Sequence, residues 1–433
     1  MALHNWELEA LDVKTAFLYG NLDEEIYMRQ PKGFVLKGQE KQVCRLKKSL
    51  YGLKQAALQW NKELHKSLLE MGFHCTYVDP GTYVKFIDKE IIIILVYINN
   101  ALFTCSNPKL LSSHKKQFMK WWESRDLGEA KEYLGIWIIR DYKKKMITLD
   151  QATYALKVIK CFGLESCRGK AQPLPSGYKP SPNTKTTTPT LRSHYQSVIG
   201  SLLYIMLGTR PDLAYSVIKM SQFSANPSEE HLQKALHIVH YLSTMTELCI
   251  QYSPHGPDTG LLAYCDTDYA GDKETSWSTT GYSIFLANRI VSWLSQWQPR
   301  VRLSSTKAEY CRLTEVAKQL KWIRNLLTEL VCELGPFPVC CDNQGAIFIA
   351  SNPVQDGHLK HIERDDHYIC KASEFKEIEL FYVPTDKQTA DIFTKNLGCD
   401  KFIAGRNALH LIPLSTSKRE QWGGVLKIMV SSF

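Results

Sequence analysis

Residues 264–272 read Tyr-Cys-Asp-Thr-Asp-Tyr-Ala-Gly-Asp. The apolar alternation that begins at Gly260 predicts a β-strand that Asp266 closes. Three more acids follow in equally distinctive surroundings. Glu309 lies inside a predicted helix in Ser-Ser-Thr-Lys-Ala-Glu-Tyr (304–310). Asp342 follows a short apolar strand in Cys-Cys-Asp-Asn-Gln-Gly-Ala (340–346), and Asp391 opens a helix in Thr-Ala-Asp-Ile-Phe-Thr-Lys (389–395). Carboxylates at strand ends and helix starts can converge on one point of a sheet. Four of them can hold two Mg²⁺ ions, or Mn²⁺, about 4 Å apart, one activating a water and one stabilising the leaving oxygen of a phosphodiester. Any one alone is more often a solvated residue or a helix cap, so the ordered set carries the signal.

Around these acids the pattern predicts strands over 260–264 and 281–294, a helix over 305–334, and a strand ending at Cys341. A helix from Gln344 and a strand over 378–383 follow. Upstream, 165–192 is rich in Pro, Ser, Thr, Gly and Lys and reads as a linker. The segment 193–259 predicts two helices, the first over 195–207, with Pro211 opening the second and Pro227 closing it. The first 164 residues mix strands (Glu90–Tyr97 and 133–140) with a helix over 53–71. That helix is expected to place Leu58, Leu64, Leu68 and Leu69 near one face and to stop at Gly72.

A chain of 433 residues argues for two or three domains. Its 44% hydrophobic and 22% charged content excludes a largely disordered or collagen-like protein. Thirteen cysteines, an odd number with no charged-then-apolar leader before them, predict reduced thiols and a cytoplasmic or nuclear protein that is not secreted. The longest apolar run, 91–98, is too short to cross a bilayer, so no membrane partner is expected. Charge is uneven. Residues 261–400 carry 15 Lys and Arg against 19 Asp and Glu, and 401–433 carry five against one, so the whole surplus of +9 precedes Leu261. A basic half joined to a locally acidic module suits a nucleic-acid grip coupled to a metal site, although solvated lysines account for the surplus equally well.

The segment around the four acids resembles the ribonuclease H domain of copia-type retrotransposon Pol polyproteins. The likeness runs over 260–402 through Gly281-Tyr-Ser-Ile-Phe-Leu, Val291-Ser-Trp-Leu-Ser, Gln298-Pro, Leu303-Ser-Ser-Thr-Lys-Ala-Glu-Tyr, Lys360-His-Ile and Tyr382-Val-Pro-Thr. It implies that Asp266, Glu309, Asp342 and Asp391 bind two metals, with Asp266 and Asp342 shared between them. The first half resembles the reverse transcriptase of the same polyproteins. Leu11-Asp-Val-Lys-Thr-Ala-Phe-Leu-Tyr-Gly-Asn-Leu is similar to the palm strand that carries the first catalytic aspartate, here Asp12. Arg45-Leu-Lys-Lys-Ser-Leu-Tyr-Gly-Leu-Lys-Gln-Ala matches the template- and nucleotide-contacting region, which implies nucleic-acid contacts for Arg45, Lys47, Lys48 and Lys54. Thr209-Arg-Pro-Asp-Leu-Ala-Tyr matches the segment leading into the ribonuclease domain.

Two departures bear on activity. The family's second catalytic site reads Tyr-Val-Asp-Asp, and here the strand runs into Tyr97-Ile-Asn-Asn, so Asn99 and Asn100 replace two metal-binding charges. Asparagine keeps the shape but is neutral, which predicts a dead polymerase. The chain also opens eleven residues before Asp12, which implies missing fingers. A smaller departure is Glu363-Arg-Asp-Asp-His, where Asp365 stands in place of an arginine and is expected to weaken the nuclease's support. His358, His361, His367 and Cys370 match no strong zinc spacing and are set aside. The paired Trp121-Trp122 and the run Lys143-Lys-Lys read as core and solvated face.

The expectation is therefore an α+β palm-like remnant of a reverse transcriptase (1–164), a linker (165–192), a helical connection (193–259), an α/β ribonuclease H-like domain (260–402) and a tail (403–433). That domain would have a mixed five-stranded sheet with flanking helices. Its function would be to cut RNA in RNA/DNA hybrids, hybrid or other nucleic acid being the partner. The alternative is a non-catalytic nucleic-acid binder or relic, and the oligomeric state is left open.

Overall fold

The computed structural model describes residues 2, 4–254, 260–269, 271, 277–298, 304–330, 335–351 and 368–414. The expectations for His358, His361, His367 and Asp365 lie outside the described residues. The chain divides into two compact units, Met1–Tyr133 with Arg324–Glu333, and Leu134–Ile323 with Leu334–Phe433.

The first unit opens with β1 (Glu7–Val13), the ribbon β2 (Asn21–Arg29) and β3 (Val43–Lys48), and α1 (Ala56–Glu70). It continues through β4 (His74–Cys75), β5 (Thr82–Ile87), β6 (Glu90–Tyr97), β7 (Asn100–Cys105), α2 (Pro108–Trp121), β8 (Ser124–Glu129) and the short β9 (Glu132–Tyr133). Six strands form one sheet in the order β4-β5-β6-β7-β1-β8. The isoleucine run is β6, and Ile91 to Ile94 are all buried, which explains why it is apolar without alternation. Against this sheet α1 lays Trp60, Leu64 and Leu68, with Met71 just past its end. Leu58 and Leu69 are exposed, contrary to the expected face, because the buried stripe steps by four from Ala56 and they fall between its turns. Trp122 packs edge-on to Trp60 at 4.9 Å while Trp121 is exposed.

The second unit contains β10 (Ile136–Asp141), β11 (Met146–Asp150), α3 (Ala152–Cys161), α4 (Pro189–Gly208), α5 (Ala214–Ser221), α6 (Glu229–Thr244) and β12 (Leu248–Tyr252). Then come β13 (Leu261–Asp268), β14 (Thr279–Leu286), β15 (Arg289–Trp297), α7 (Ser305–Leu330), β16 (Phe337–Cys341), α8 (Gln344–Ser351), α9 (Tyr368–Glu374), β17 (Ile378–Tyr382), α10 (Cys399–Ala408) and β18 (Ile412–Pro413). Three helices, not two, fill the segment after 189. The second stops at Ser221, and Pro227 precedes the third, which Ser228 and His231 open with a reciprocal capping box. The strand expected over 281–294 is the hairpin β14–β15, turned at Ala287 and Asn288 with φ of 48° and 60°. The strand expected over 133–140 is interrupted at Leu134 and Gly135, both at positive φ.

A mixed sheet runs in the order β15-β14-β13-β16-β17, antiparallel from β15 to β13 and parallel from β13 to β17. One hydrophobic core joins α3 to α6 to this sheet, from Val158, Tyr195, Leu202 and Ile238 to Phe285, Ile290 and Phe393. Within 165–192, Leu174 is 2% exposed in that core, and the Asn226 carboxamide accepts from the Thr187 N–H and donates to the Asn183 carbonyl. The proline-rich stretch is thus held both by Leu174 in the core and by side-chain bonds to its backbone. Where α4 meets α5, buried Arg210 forks onto Asp212 at 2.8 and 2.9 Å, and Tyr241 donates to the same carboxylate at 2.7 Å. Among the described residues, no helix is long and apolar enough to cross a membrane.

Candidate functional site

Strand register brings the acids together. β13 and β16 run parallel with Ala263 opposite Val339 and Tyr264 opposite Cys340, so Asp266 and Asp342 reach the same level at the carboxyl ends of neighbouring strands. Such ends are where open α/β sheets place ligands. Glu309, in the second turn of α7, points back at β13 and accepts a hydrogen bond from the Thr267 N–H at 2.9 Å. Ligand atoms of Asp266, Glu309 and Asp342 lie within 4.8 Å of one another, the one such group among the described residues. Asp391 lies outside this group of three but beside Asp266. It sits in the middle of a 3-10 turn, Thr389–Phe393, rather than opening a helix, because Gln388 caps the turn through the Ala390 N–H. Gln388 also donates to the Cys265 carbonyl at 2.8 Å, which docks the turn on β13.

Gly281, opposite Asp266 on β14, permits this docking. A Cβ there would stand 2.9 Å from Thr394 Cγ2 and closer still to Phe393. With that space open, the Thr394 hydroxyl donates to Asp266 Oδ2, and Lys395 Nζ reaches Asp266 Oδ2 at 3.2 Å and Asp391 Oδ1 at 2.9 Å. The Thr385 hydroxyl donates to Asp342 Oδ2 at 2.8 Å.

Electrostatics follow from burial. Glu309 is 5% exposed, and desolvation together with Cys341, Asp266 and Asp342 pushes its carboxyl up to about 10. Its Oε2 atom is buried without a hydrogen-bond partner. An orphaned carboxylate oxygen facing two other acids is what a hard divalent cation satisfies, so these residues fit Mg²⁺ or a similar ion. Burial and the Asp266 charge push Asp391 up to about 6 against the opposing pull of Lys395. Burial also raises Asp268, with Lys395 opposing and Asp266 adding to the shift.

The residues expected at the polymerase site also meet. Asp12 pairs with Asn100 across β1 and β7, and the Tyr97–Asn100 pair closes the β6–β7 hairpin around Ile98, at φ 55°. The Trp60 indole N–H donates to the Ile98 carbonyl at 2.7 Å, and the Val13 N–H donates to the Asn99 carbonyl at 2.8 Å. The Asn99 amide donates directly to Asp12 Oδ1. Of the basic residues on and after β3, Arg45 pairs with Glu25 at 2.7 Å, and Lys47, Lys48 and Lys54 are exposed.

Sequence reasoning named Asp266, Glu309 and Asp342 but missed Asp268, Thr385, Thr394 and Lys395. Only Lys395 left a signal, as a cation four residues after Asp391.

Residues 1–176 match the sequence model of the reverse transcriptase (RNA-dependent DNA polymerase) family. The chain belongs to the Pol polyproteins of copia-type retrotransposons. It is 36% identical over 402 residues to the retrovirus-related Pol polyprotein from transposon TNT 1-94 of Nicotiana tabacum, covering 92% of this chain and 30% of that one. A transposon Ty5-1 protein of Saccharomyces cerevisiae is 32% identical over 313 residues, covering 72% of this chain and 100% of that protein. Among solved structures, the N-terminal RNase H domain of a Mycobacterium tuberculosis protein, fused to maltose-binding protein, matches 35% of this chain and 98% of that one. Its identity is 18% and its TM-score 0.23. The chain thus spans under a third of the tobacco polyprotein it resembles.

Proposed function

We propose that the second unit is a ribonuclease H that hydrolyses the RNA strand of RNA/DNA hybrids, and that the first unit does not polymerise. The observation carrying this reading is the unpartnered Glu309 Oε2 between Asp266 and Asp342 at the carboxyl end of the mixed sheet. These three side chains would hold the divalent ions, with Asp391 completing the shell. When bound, the ions supply an activated water and charge stabilisation at the leaving oxygen. The chain's own contribution is orientation. Thr385 fixes Asp342, Thr394 fixes Asp266, and the Thr267 N–H fixes Glu309. Selectivity for hybrid would come from groove shape and 2′-hydroxyls, with exposed Lys47, Lys48 and Lys54 contacting phosphates.

For the first unit, the support is the Asn99 amide on Asp12, a neutral donor where a metal site needs an anionic oxygen. Labelled hybrid, incubated with the full chain in Mg²⁺, tests the nuclease. Cleavage that disappears in EDTA and in Asp266→Asn is expected. A folded protein that binds hybrid without cutting it would instead establish the non-catalytic reading. Primer extension in Mn²⁺ tests the polymerase, and clear extension overturns its assignment as inactive.

A further inference from the structure

We propose that Lys395 is a built-in counter-ion that limits the free protein to one divalent ion, held by Asp266, Glu309 and Asp342. This inference rests on the metal reading above and adds to it. The site has two electrostatically different halves. In one, Lys395 Nζ bridges Asp266 Oδ2 at 3.2 Å and Asp391 Oδ1 at 2.9 Å, so a cation already lies between those two carboxylates. In the other, the Glu309 side chain is 5% exposed, leaves Oε2 without a partner, and converges with Asp266 and Asp342.

The backbone sets the ammonium at this position. The Lys395 N–H donates to the Asp391 carbonyl at 3.2 Å, which sets it one turn beyond that acid, and the neighbouring Thr394 hydroxyl is bonded to Asp266. A second divalent ion between Asp266 and Asp391 would have to displace it, because the ammonium, in contact with Asp266 Oδ2 and Asp391 Oδ1, fills the position that ion would take and repels its charge. Displacement is possible because the Lys395 side chain is one-third exposed, unlike the buried carboxylate it touches. A substrate phosphate offers the ammonium another anionic partner, which would couple arrival of the scissile strand to entry of the second ion. Lys395 is thus a positioning residue.

The test is Mn²⁺ binding by the full chain, followed through the electron paramagnetic resonance signal of free Mn²⁺, with ions bound by Asp266→Asn subtracted as background. The wild type is expected to take one ion above background, and Lys395→Met two, the second bound at least tenfold more tightly than in the wild type. Lys395→Arg, which keeps the charge, should stay at one. Melting curves confirm that each variant is folded. Two ions of similar affinity in the wild type overturn the proposal, as does a Lys395→Met stoichiometry unchanged while Glu309→Gln loses the tight ion. Retention of the tight ion in Glu309→Gln overturns the metal reading itself, so the two failures are distinct.

Discussion

The Asp12 site and the Asp266 site are both acidic centres held on β-sheets, and they balance charge in opposite ways. At the first, the Asn99 amide donates to Asp12, so the carboxylate is satisfied by the protein alone. At the second, Glu309 is crowded against Asp266 and Asp342 with one oxygen unpartnered, and its carboxyl rises to about 10. On the reading proposed above, the second site is left electrostatically incomplete so that it can capture a cation, which costs stability. The first, with an asparagine beside its aspartate, closes on itself in a hydrogen bond. The contrast implies that divalent ions stabilise the second unit and leave the first unmoved.

The largest effect expected from this contrast is on hydrolysis. Asp342→Asn should lower hybrid cleavage at least about 100-fold, whereas Asp12→Asn should leave it unchanged. Equal losses in both variants, measured on the same labelled hybrid, would erase the distinction.

Glu309→Gln should stabilise the protein in EDTA. A carboxyl raised from 4.5 in the unfolded chain to about 10 in the fold contributes stability that is present below pH 4.5. That stability is lost as pH rises toward 10. At pH 7 the variant, which keeps an acceptor for the Thr267 N–H, should gain on the order of 2–3 kcal/mol, or roughly 5 °C in Tm. Its advantage should shrink as pH falls toward 4.5 and reverse in Mg²⁺, where the wild type gains a bound ion. Calorimetric scans from pH 5 to 8 with and without Mg²⁺ would measure all three trends.

Asn99→Asp makes the first site resemble the second. Two carboxylates in hydrogen-bond contact should cost about 1–3 kcal/mol without metal, partly recovered by Mg²⁺. A melt in EDTA that matches the wild type would mean the Asn99 bond contributes nothing. Smallest of all, Thr385→Val removes one hydroxyl from Asp342 and should weaken Mn²⁺ binding about 5- to 10-fold, read by titration calorimetry.

Much of this was legible along the chain. Strand Glu90–Tyr97 emerges at its expected bounds because an unbroken isoleucine run suits only a strand buried on both faces. Asp266, Glu309 and Asp342 stood out because each sits near an element end within a distinctive local sequence, although β13 runs on to Asp268 and is not closed by Asp266 as expected. Leu58 and Leu69 misled because leucine alone does not reveal which of two adjacent helical stripes meets the sheet. The α6 helix was overlooked although Ser228 begins it, since its cap partner is a histidine at N3 rather than a glutamate or glutamine. Within the 281–294 run the hairpin turns on Ala287 and Asn288, neither of them glycine, so the break left little trace.

What the order of residues dictated was chemistry that travels with a side chain: four carboxylates in distinctive surroundings, two neutral asparagines after Tyr97-Ile98, and the periodicities of strands and helices. Tertiary structure alone decided how those groups meet. Thr385 finds Asp342, Gln388 finds the Cys265 carbonyl, and Lys395 finds Asp266 across separations of 43, 123 and more than 120 residues. Burial and through-space distance set the proton on Glu309 and the cation on Asp391, and both quantities depend on segments far apart in the chain. A charge's identity is local, but its energy belongs to its surroundings.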